Sequence, residues 1–312
     1  MLTHPITDVR AWTGQSIDAP ANWYYPVPEV DLCASPYEIP QPFTAYQPPA
    51  AELAVIAKAV EPVREALTKG RGFAIVEAPM SYAHLPYLDW YAQVPYLYQY
   101  VGRALGQPIA QDVQGTVFYD VRDTGQDLSK GARFSVTNYE SSFHTDNSFG
   151  TEIADYVGLL CLKSAKLGGT SQLLSGYALH NVLLAKHPDI LATLYQPFHT
   201  DRRGGVNEGD SPTIQFPVIA SNGAELLFRY LRYWIEVGHE KARQPLTAAQ
   251  TRALNLLDEC IRSPGLRVEF DLKPGQMFFV NNRWILHNRT AFEDHPEPER
   301  RRHLVRLWLQ DV

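Results

Sequence analysis

The sequence predicts an α+β, mostly β chain: a double-stranded β-helix, or jelly roll, with flanking helices. Three observations carry that expectation. Helical periodicity is confined to the first third and two later segments, short strand-like runs dominate from about Val113, and the two do not alternate as a βαβ repeat would.

The elements follow in order. Residues 1–50 are rich in proline and aromatics (WYYPVPEV, EIPQPFTAYQPP), and their prolines interrupt any long helix or central strand, so an extended arm on the surface of the body is expected. Residues 51–312 are expected to form one jelly-roll domain. From Pro49, PPAAELAVIAKAVEPVREALTKGRG has helical spacing and stops at Gly70 and Gly72. FAIVEAP (73–79) reads as a short buried strand, and LPYLDWYAQVPYLYQYVGRALGQP as a helical region interrupted at Pro95. GTVFYDV and ARFSVTN are strand-like, separated by the turn RDTGQDLSKG. ADYVGLLCLKSA and SQLLSG are strands joined by a GGT turn, and YALHNVLLAKHPDILATLY is helical in period up to Pro197. DRRGG and NEGDSP are loops, IQFPVIA and ELLFRY strands, and PLTAAQTRALNLLDECIRSPG is a helix with Thr247 as N-cap. LRVEFDL, PGQMFFVNN and RRHLVRLWL close the chain as strands.

Bulk properties narrow the partners. A net charge of −6 argues against general affinity for nucleic acid or an anionic membrane, so a small-molecule partner is expected, with homo-oligomerisation left open. Three isolated cysteines, Cys33, Cys161 and Cys260, form neither a disulfide framework nor a CxxC pair, which suits a reducing compartment. The N-terminus has no basic segment followed by an apolar run, and a cytoplasmic protein is expected.

Chemistry converges on His144-Thr145-Asp146. On a strand, one intervening residue puts the imidazole and the carboxylate on one side, within reach of one ion. His287, after the apolar run FFVNNRWIL, is the best third ligand among ten histidines; His180, His187, His199 and His239 are expected to be surface or satisfied core groups. Two imidazoles and a carboxylate on one face of an octahedral ion leave positions open, the arrangement of non-haem Fe(II) oxygenases. In RRHLVRL, Arg302, Leu304 and Arg306 share one face of a strand, and two guanidiniums pointing inward call for an anion such as a dicarboxylate.

HTD at 144–146, KLGGTSQLLSG at 166–176, PGQMFFVNNRWILHNRTAF at 274–292 and RRRHLVRLWL at 300–309 together resemble the taurine dioxygenase (TauD/TfdA) family of Fe(II)- and 2-oxoglutarate-dependent oxygenases. The resemblance runs from about Gly72 to the C-terminus. It implies that His144, Asp146 and His287 hold Fe(II), that Thr170 and Arg302 bind the distal carboxylate of the co-substrate 2-oxoglutarate, and that Arg306 faces either co-substrate or substrate. It further implies O₂-dependent oxidation, most simply hydroxylation, of a C–H bond, giving succinate and CO₂. Retention of Asp146 points away from halogenation, where relatives carry a small residue. The acidic loop EDHPEPE, longer than in taurine dioxygenase itself, argues against taurine as substrate. Tyr139, Glu140, Asn147, Phe149 and Arg232 are the substrate-binding candidates, with Arg229, Tyr230 and Tyr233 nearby in sequence; an amine at Glu140 and a carboxylate at Arg232 or Arg306 would suit an amino-acid-like or zwitterionic metabolite. Desaturation, ring closure, a non-catalytic metal-binding module and a zinc site are the competing readings.

Overall fold

The computed structural model describes residues 1–30, 48–79, 87–112, 114–126, 133–203, 209 and 211–311, with side chains left aside at 87–92. Part of the N-terminal arm (31–47) and parts of the RDTGQDLSKG and NEGDSP turns lie outside the described residues. Sixteen strands are described: β1 Tyr24–Pro26, β2 Phe73–Glu77, β3 Gln107–Ile109, β4 Phe118–Val121, β5 Tyr156–Lys163, β6 Leu167–Gly168, β7 Ser171–Ser175, β8 Pro197–Asp201, β9 Thr213–Pro217, β10 Ile219–Ser221, β11 Leu226–Phe228, β12 Arg267–Phe270, β13 Gln276–Asn281, β14 Ile285–Arg289, β15 Phe292–Glu293 and β16 His303–Gln310. β1, β2, β13, β5, β16 and β3 pair in that order, with β4 also on β16, to give a seven-stranded sheet. β12, β7 and β14 form a three-stranded sheet, extended at its edge by a single antiparallel bridge between His144 and His287.

The two-residue period of the strands sorts the large sheet into two faces. Phe73, Ile75, Val157, Phe278, Val280, Leu304 and Trp308 turn inward and join Leu173, Leu174, Ile285 and Leu286 of the small sheet in one core. Ala74, Val76, Leu160, Met277, Phe279, Val305, Leu307 and Leu309 turn outward into a second core. Helices Ala50–Ala59, Glu61–Thr68 and Tyr87–Leu105 cover that outer face with Ile56, Val63, Leu67, Leu97 and Val101. The fold is therefore mixed α/β, with helices outside and an apolar interior between two sheets.

Local chemistry explains where the elements depart from the periodicity. The helix at Tyr87–Leu105 continues through Pro95, because the buried positions Val94, Leu97, Tyr98 and Val101 carry its packed face past the proline. The two segments expected as single helices each break at a proline, giving Ala50–Ala59 with Glu61–Thr68 and Gly176–Lys186 with Pro188–Leu194. Thr247 caps helix Ala248–Ile261 as expected, in a reciprocal capping box with Gln250. ARFSVTN is not a strand; Phe134–Val136 forms a single 3₁₀ turn, held from outside by the Arg289 guanidinium on the carbonyls of Phe134, Thr137 and Tyr139. At the N-terminus, Trp12 and Trp23 are 4% and 3% exposed and pack on Phe73, while β1 runs parallel to β2 and forms the sheet edge.

His180 is a core group on helix Gly176–Lys186, with the Tyr195 hydroxyl 3.2 Å from its Nε2 and its Nδ1 buried without a hydrogen-bond partner among the described residues. Burial pushes its pKa from 6.5 down to about 4. An unfolded chain takes up this proton first as pH falls, so the contribution of His180 to stability is full above 6.5 and is lost towards 4. Urea unfolding midpoints are expected to decline across that window, and His180→Leu to make the decline shallower.

Candidate metal centre

His144, Asp146 and His287 come together. One ligand atom from each lies within 4.8 Å of the others. Asp146 Oδ1 is 3.3 Å from His144 Nε2 and 3.7 Å from His287 Nε2, and the two imidazole centroids are 4.4 Å apart.

The backbone holds this arrangement in a way that strand periodicity does not capture. His144 and His287 exchange two backbone hydrogen bonds, of 3.0 and 2.9 Å, so each fixes the other's position at the edge of β14. The chain then turns rather than running on as a strand: Thr145 donates from its backbone to the Tyr230 carbonyl, and Asn147 takes a left-handed φ of 51°, which Asn tolerates better than most residues. Asn282, fully buried, accepts the Asp146 N–H at 2.7 Å and donates to the Asp146 and Ala154 carbonyls, both at 2.9 Å.

The donor set fits a divalent transition metal. His144 Nδ1–H donates to the Ser142 carbonyl at 2.7 Å, which leaves the Nε2 lone pair free for an ion. His287 is held below its usual pKa, first by burial and then by His144, so it stays neutral as a ligand must. Burial opposes ionisation of Asp146, but Arg306 and the two imidazoles outweigh it and keep the carboxyl well below the usual carboxylate range. Its second oxygen is committed: Oδ2 accepts the Trp308 indole N–H at 2.7 Å and lies 3.2 Å from Arg306 Nη1. Oδ1 alone therefore faces the imidazoles. Trp308→Phe keeps the packing but removes one of these tethers, and an about tenfold weaker Fe(II) affinity is expected by equilibrium dialysis.

Two cavity lobes meet at His144 and Asp146 and also share Phe134, Ser135 and Arg306, while His287 lines the first. The first, about 100 Å³, lies between the two sheets and is lined by Val157, Leu159, Phe278 and Leu173, with Arg302 among its walls. Arg302 is 6% exposed and makes no ion pair among the described residues; its guanidinium carbon stands 5.0 Å from the Phe292 ring centroid, and burial lowers its pKa to about 10. The second lobe, about 80 Å³, is lined by Arg133, Asn147, Phe149, Arg203, Leu231 and Trp234 as well as the shared residues. A larger cavity of about 760 Å³ lies between the N-terminal segment and helix Glu61–Thr68, away from these ligands.

The other predicted residues separate. Thr170 is half-buried, with its backbone paired to Thr290, and does not line either lobe; Ser171, next in sequence, shares a strand face with Leu173 and lines the first lobe with Arg302. Gly168 and Gly169 both have positive φ, 75° and 78°, and a Cβ at Gly169 would meet the Arg302 Nε at 3.3 Å. Arg306 lines both lobes but is engaged with Asp146 and with Gln111, at 2.7 Å. Asn147 and Phe149 line the second lobe, whereas Tyr139 is 54% exposed and Glu140 accepts a hydrogen bond from Asn288 at 3.2 Å. Arg232 lines neither lobe; it sits on helix Arg232–Lys241, tied to Glu236, Asp258 and Asn255. Arg229 donates to the Gly150 carbonyl and Tyr230 to Asp258. Trp308, Asn282, Ser171 and Arg203 were not singled out in the sequence. Trp308 had a signal, since the alternation that joins Arg302 to Arg306 reaches it two residues later.

An Fe(II)-type facial ligand set inside a two-sheet fold defines a non-haem iron oxygenase architecture, and the comparisons agree. Residues 50–308 match the profile of the taurine catabolism dioxygenase TauD, TfdA family, and the chain belongs to that family. It is 30% identical over 214 residues to FR-33289 synthase of Streptomyces rubellomurinus, an alignment covering 67% of this chain and 61% of that one; the chain thus spans about three fifths of that relative. It is 26% identical to a taurine hydroxylase-like protein of Stachybotrys chartarum, over 99% of this chain and 81% of that one. The fold is shared with asparagine oxygenase, at TM-score 0.62 and 20% identity over 84% and 85% of the two chains, and with the non-haem iron oxygenase OrfP, at TM-score 0.60 and 15% identity over 93% and 94%. No described helix is long and apolar enough to cross a membrane.

Proposed function

We propose that this chain is an Fe(II)- and 2-oxoglutarate-dependent oxygenase that hydroxylates a C–H bond of a small amino-acid-like or zwitterionic metabolite, with succinate and CO₂ as co-products. The observation that carries the reading is the meeting of two lobes at His144 and Asp146 of one His-Asp-His set, with Arg302, a buried guanidinium that has no ion pair among the described residues, in the wall of one of them. Asparagine oxygenase, solved with Fe(II), 3-hydroxyasparagine and succinate, and OrfP, solved with Fe and α-ketoglutaric acid, support both the cofactors and the substrate class. On this reading the two sheets are the halves of a jelly roll over residues 51–312, and residues 1–50 are its arm.

When bound, the iron supplies, with 2-oxoglutarate and O₂, the oxidising power for the C–H bond. The chain's own residues do the positioning. His144, Asp146 and His287 would hold the metal, and each offers one ligand atom to it. Arg302 takes the distal carboxylate of 2-oxoglutarate as a bidentate pair. Ser171, whose side chain shares that lobe, takes the hydrogen-bonding role expected of Thr170. Arg306 and Trp308 hold the free oxygen of Asp146, so Arg306 acts through the metal ligand. Val157, Leu159, Leu173 and Phe278 keep the co-substrate lobe apolar and exclude water from it. Asn147 and Phe149 contact the substrate in the second lobe.

Anaerobic addition of Fe(II) and 2-oxoglutarate is expected to give a weak visible charge-transfer band, and a screen of amino acids, betaines and sulfonates to reveal one that stimulates succinate release. A protein that forms no band and releases no succinate with any of them would be a binding module instead.

A further inference from the structure

Arg203 is half-buried and, like Arg302, has a guanidinium with no ion pair among the described residues. Arg289 is held by three backbone carbonyls and Arg229 by one. The Arg203 guanidinium has neither an ion pair nor a hydrogen bond among the described residues, and its central carbon lies over the Trp234 ring, 3.9 Å from the centroid, with the Phe149 centroid at 5.8 Å. The acid beside it is spoken for: Asp201 Oδ1 accepts the Lys241 ammonium at 2.8 Å and the Arg203 backbone N–H at 3.0 Å. Arg133 lines the same lobe, 5.8 Å from the Tyr119 ring that Arg306 approaches to 5.0 Å, and it too makes no ion pair among the described residues.

Among the charged residues lining this lobe are three arginines, Arg133, Arg203 and Arg306, and one acid, Asp146, whose two oxygens are already engaged. Burial, reinforced by Arg133, lowers the Arg203 pKa to about 10. Gathering like charges in a partly desolvated cavity is unfavourable unless an anion joins them. Among the described residues Asp146 is the one acid that lines this lobe, and Asp201, which acts on Arg203 through space, is already paired with Lys241. A guanidinium held over an indole by cation–π attraction still has N–H donors to offer a bidentate oxyanion.

We propose that Arg203 and Arg133 form an oxyanion-binding subsite for the primary substrate, across the metal ligands from Arg302, so that the substrate carries a carboxylate, sulfonate or phosphonate group. This deepens the proposed function and rests on the reading of the first lobe as the 2-oxoglutarate site. It also moves the anion-binding role from Arg232, which is neutralised on the outer helix, to Arg203, which is not.

The test uses protein loaded anaerobically with Fe(II) and 2-oxoglutarate, with acetate, methanesulfonate and methylphosphonate as probes and neutral acetamide as control. Calorimetric binding of at least one oxyanion is expected, weakened about tenfold or more in Arg203→Gln and partly restored in Arg203→Lys, with the 2-oxoglutarate requirement of the visible band unchanged. The rank of the three probes assigns the head group. Equal binding by wild type and both Arg203→Gln and Arg133→Gln, or binding of acetamide as tight as that of the anions, overturns the inference. Should Arg203→Gln fail to fold, Arg133→Gln provides the same comparison. If wild type forms no band, the iron reading fails, and the same titrations on metal-free protein still decide whether Arg203 holds an anion.

Discussion

Asp146→Ala is expected to abolish substrate-dependent succinate release and to weaken Fe(II) binding by more than the about 100-fold that loss of an outer-sphere partner can cost. Asp146 is where the local forces meet. Its Oδ1 faces both imidazoles, its Oδ2 is held by Trp308 and Arg306, and its backbone is clamped by Asn282. Truncation therefore also acts on the metal-free protein, because Arg306 is left in a largely buried position with Gln111 and the Tyr119 and Trp308 rings beside it but no carboxylate among the described residues. Breaking a buried pair from one side costs about 3 kcal/mol, so the apo variant should melt several degrees below apo wild type. Asp146→Asn, which can still accept the Trp308 N–H, should recover much of the melting temperature and none of the turnover. Succinate formation surviving in Asp146→Ala would remove the catalytic assignment outright.

Substituting Arg302 should separate stability from function. Two charge-assisted hydrogen bonds to a carboxylate are worth about 3 kcal/mol together, so Arg302→Ala should raise the 2-oxoglutarate concentration needed for half-maximal succinate release by about 100-fold. Iron binding should be largely retained, since Arg302 contacts none of the three ligands. An unchanged requirement would move the anchor to Arg306. In the absence of co-substrate the sign reverses: the guanidinium is 6% exposed without an ionic partner among the described residues, and Arg302→Met replaces it with an apolar group of similar length. The metal-free Met variant should unfold at higher urea than metal-free wild type. Adding 2-oxoglutarate with Fe(II) should shift the wild-type midpoint upward and leave the variant's shift smaller.

The parts of the site that were legible in the sequence are those set by short-range periodicity. Alternation along β16 placed Leu304 and Arg306 on the inner face, and carried two residues further it would have included Trp308. His-x-Asp was read correctly as a pair but for an incomplete reason, because Asp146 is aimed by a turn and by Asn282 rather than by strand geometry. Thr170 came from the resemblance of the GGT turn and not from periodicity; it follows the positive φ values of Gly168 and Gly169 and lines neither lobe, whereas Ser171, on the strand face of Leu173, lines the first. Arg203 carried no periodic signal. It follows β8, and it reaches the lobe only because helix Arg232–Lys241 packs on that strand and brings Trp234 beneath the guanidinium. Arg232, a candidate for a substrate carboxylate from its place in LFRYLRYW, is held by Glu236, Asp258 and Asn255 instead.

The short β1 strand at the edge of the large sheet has a consequence outside catalysis. Without it, β2 would present a row of unpaired backbone groups from Phe73 to Glu77 in a strand whose residues Phe73 to Val76 are all fully buried. Such an edge is a template for intermolecular pairing. β1 covers it with three residues ending at Pro26, which lacks a backbone donor, and Trp12 and Trp23 hold the segment down over Phe73. The N-terminal segment thus serves as a guard against self-association, and a chain deprived of it should lose solubility before it loses its metal ligands.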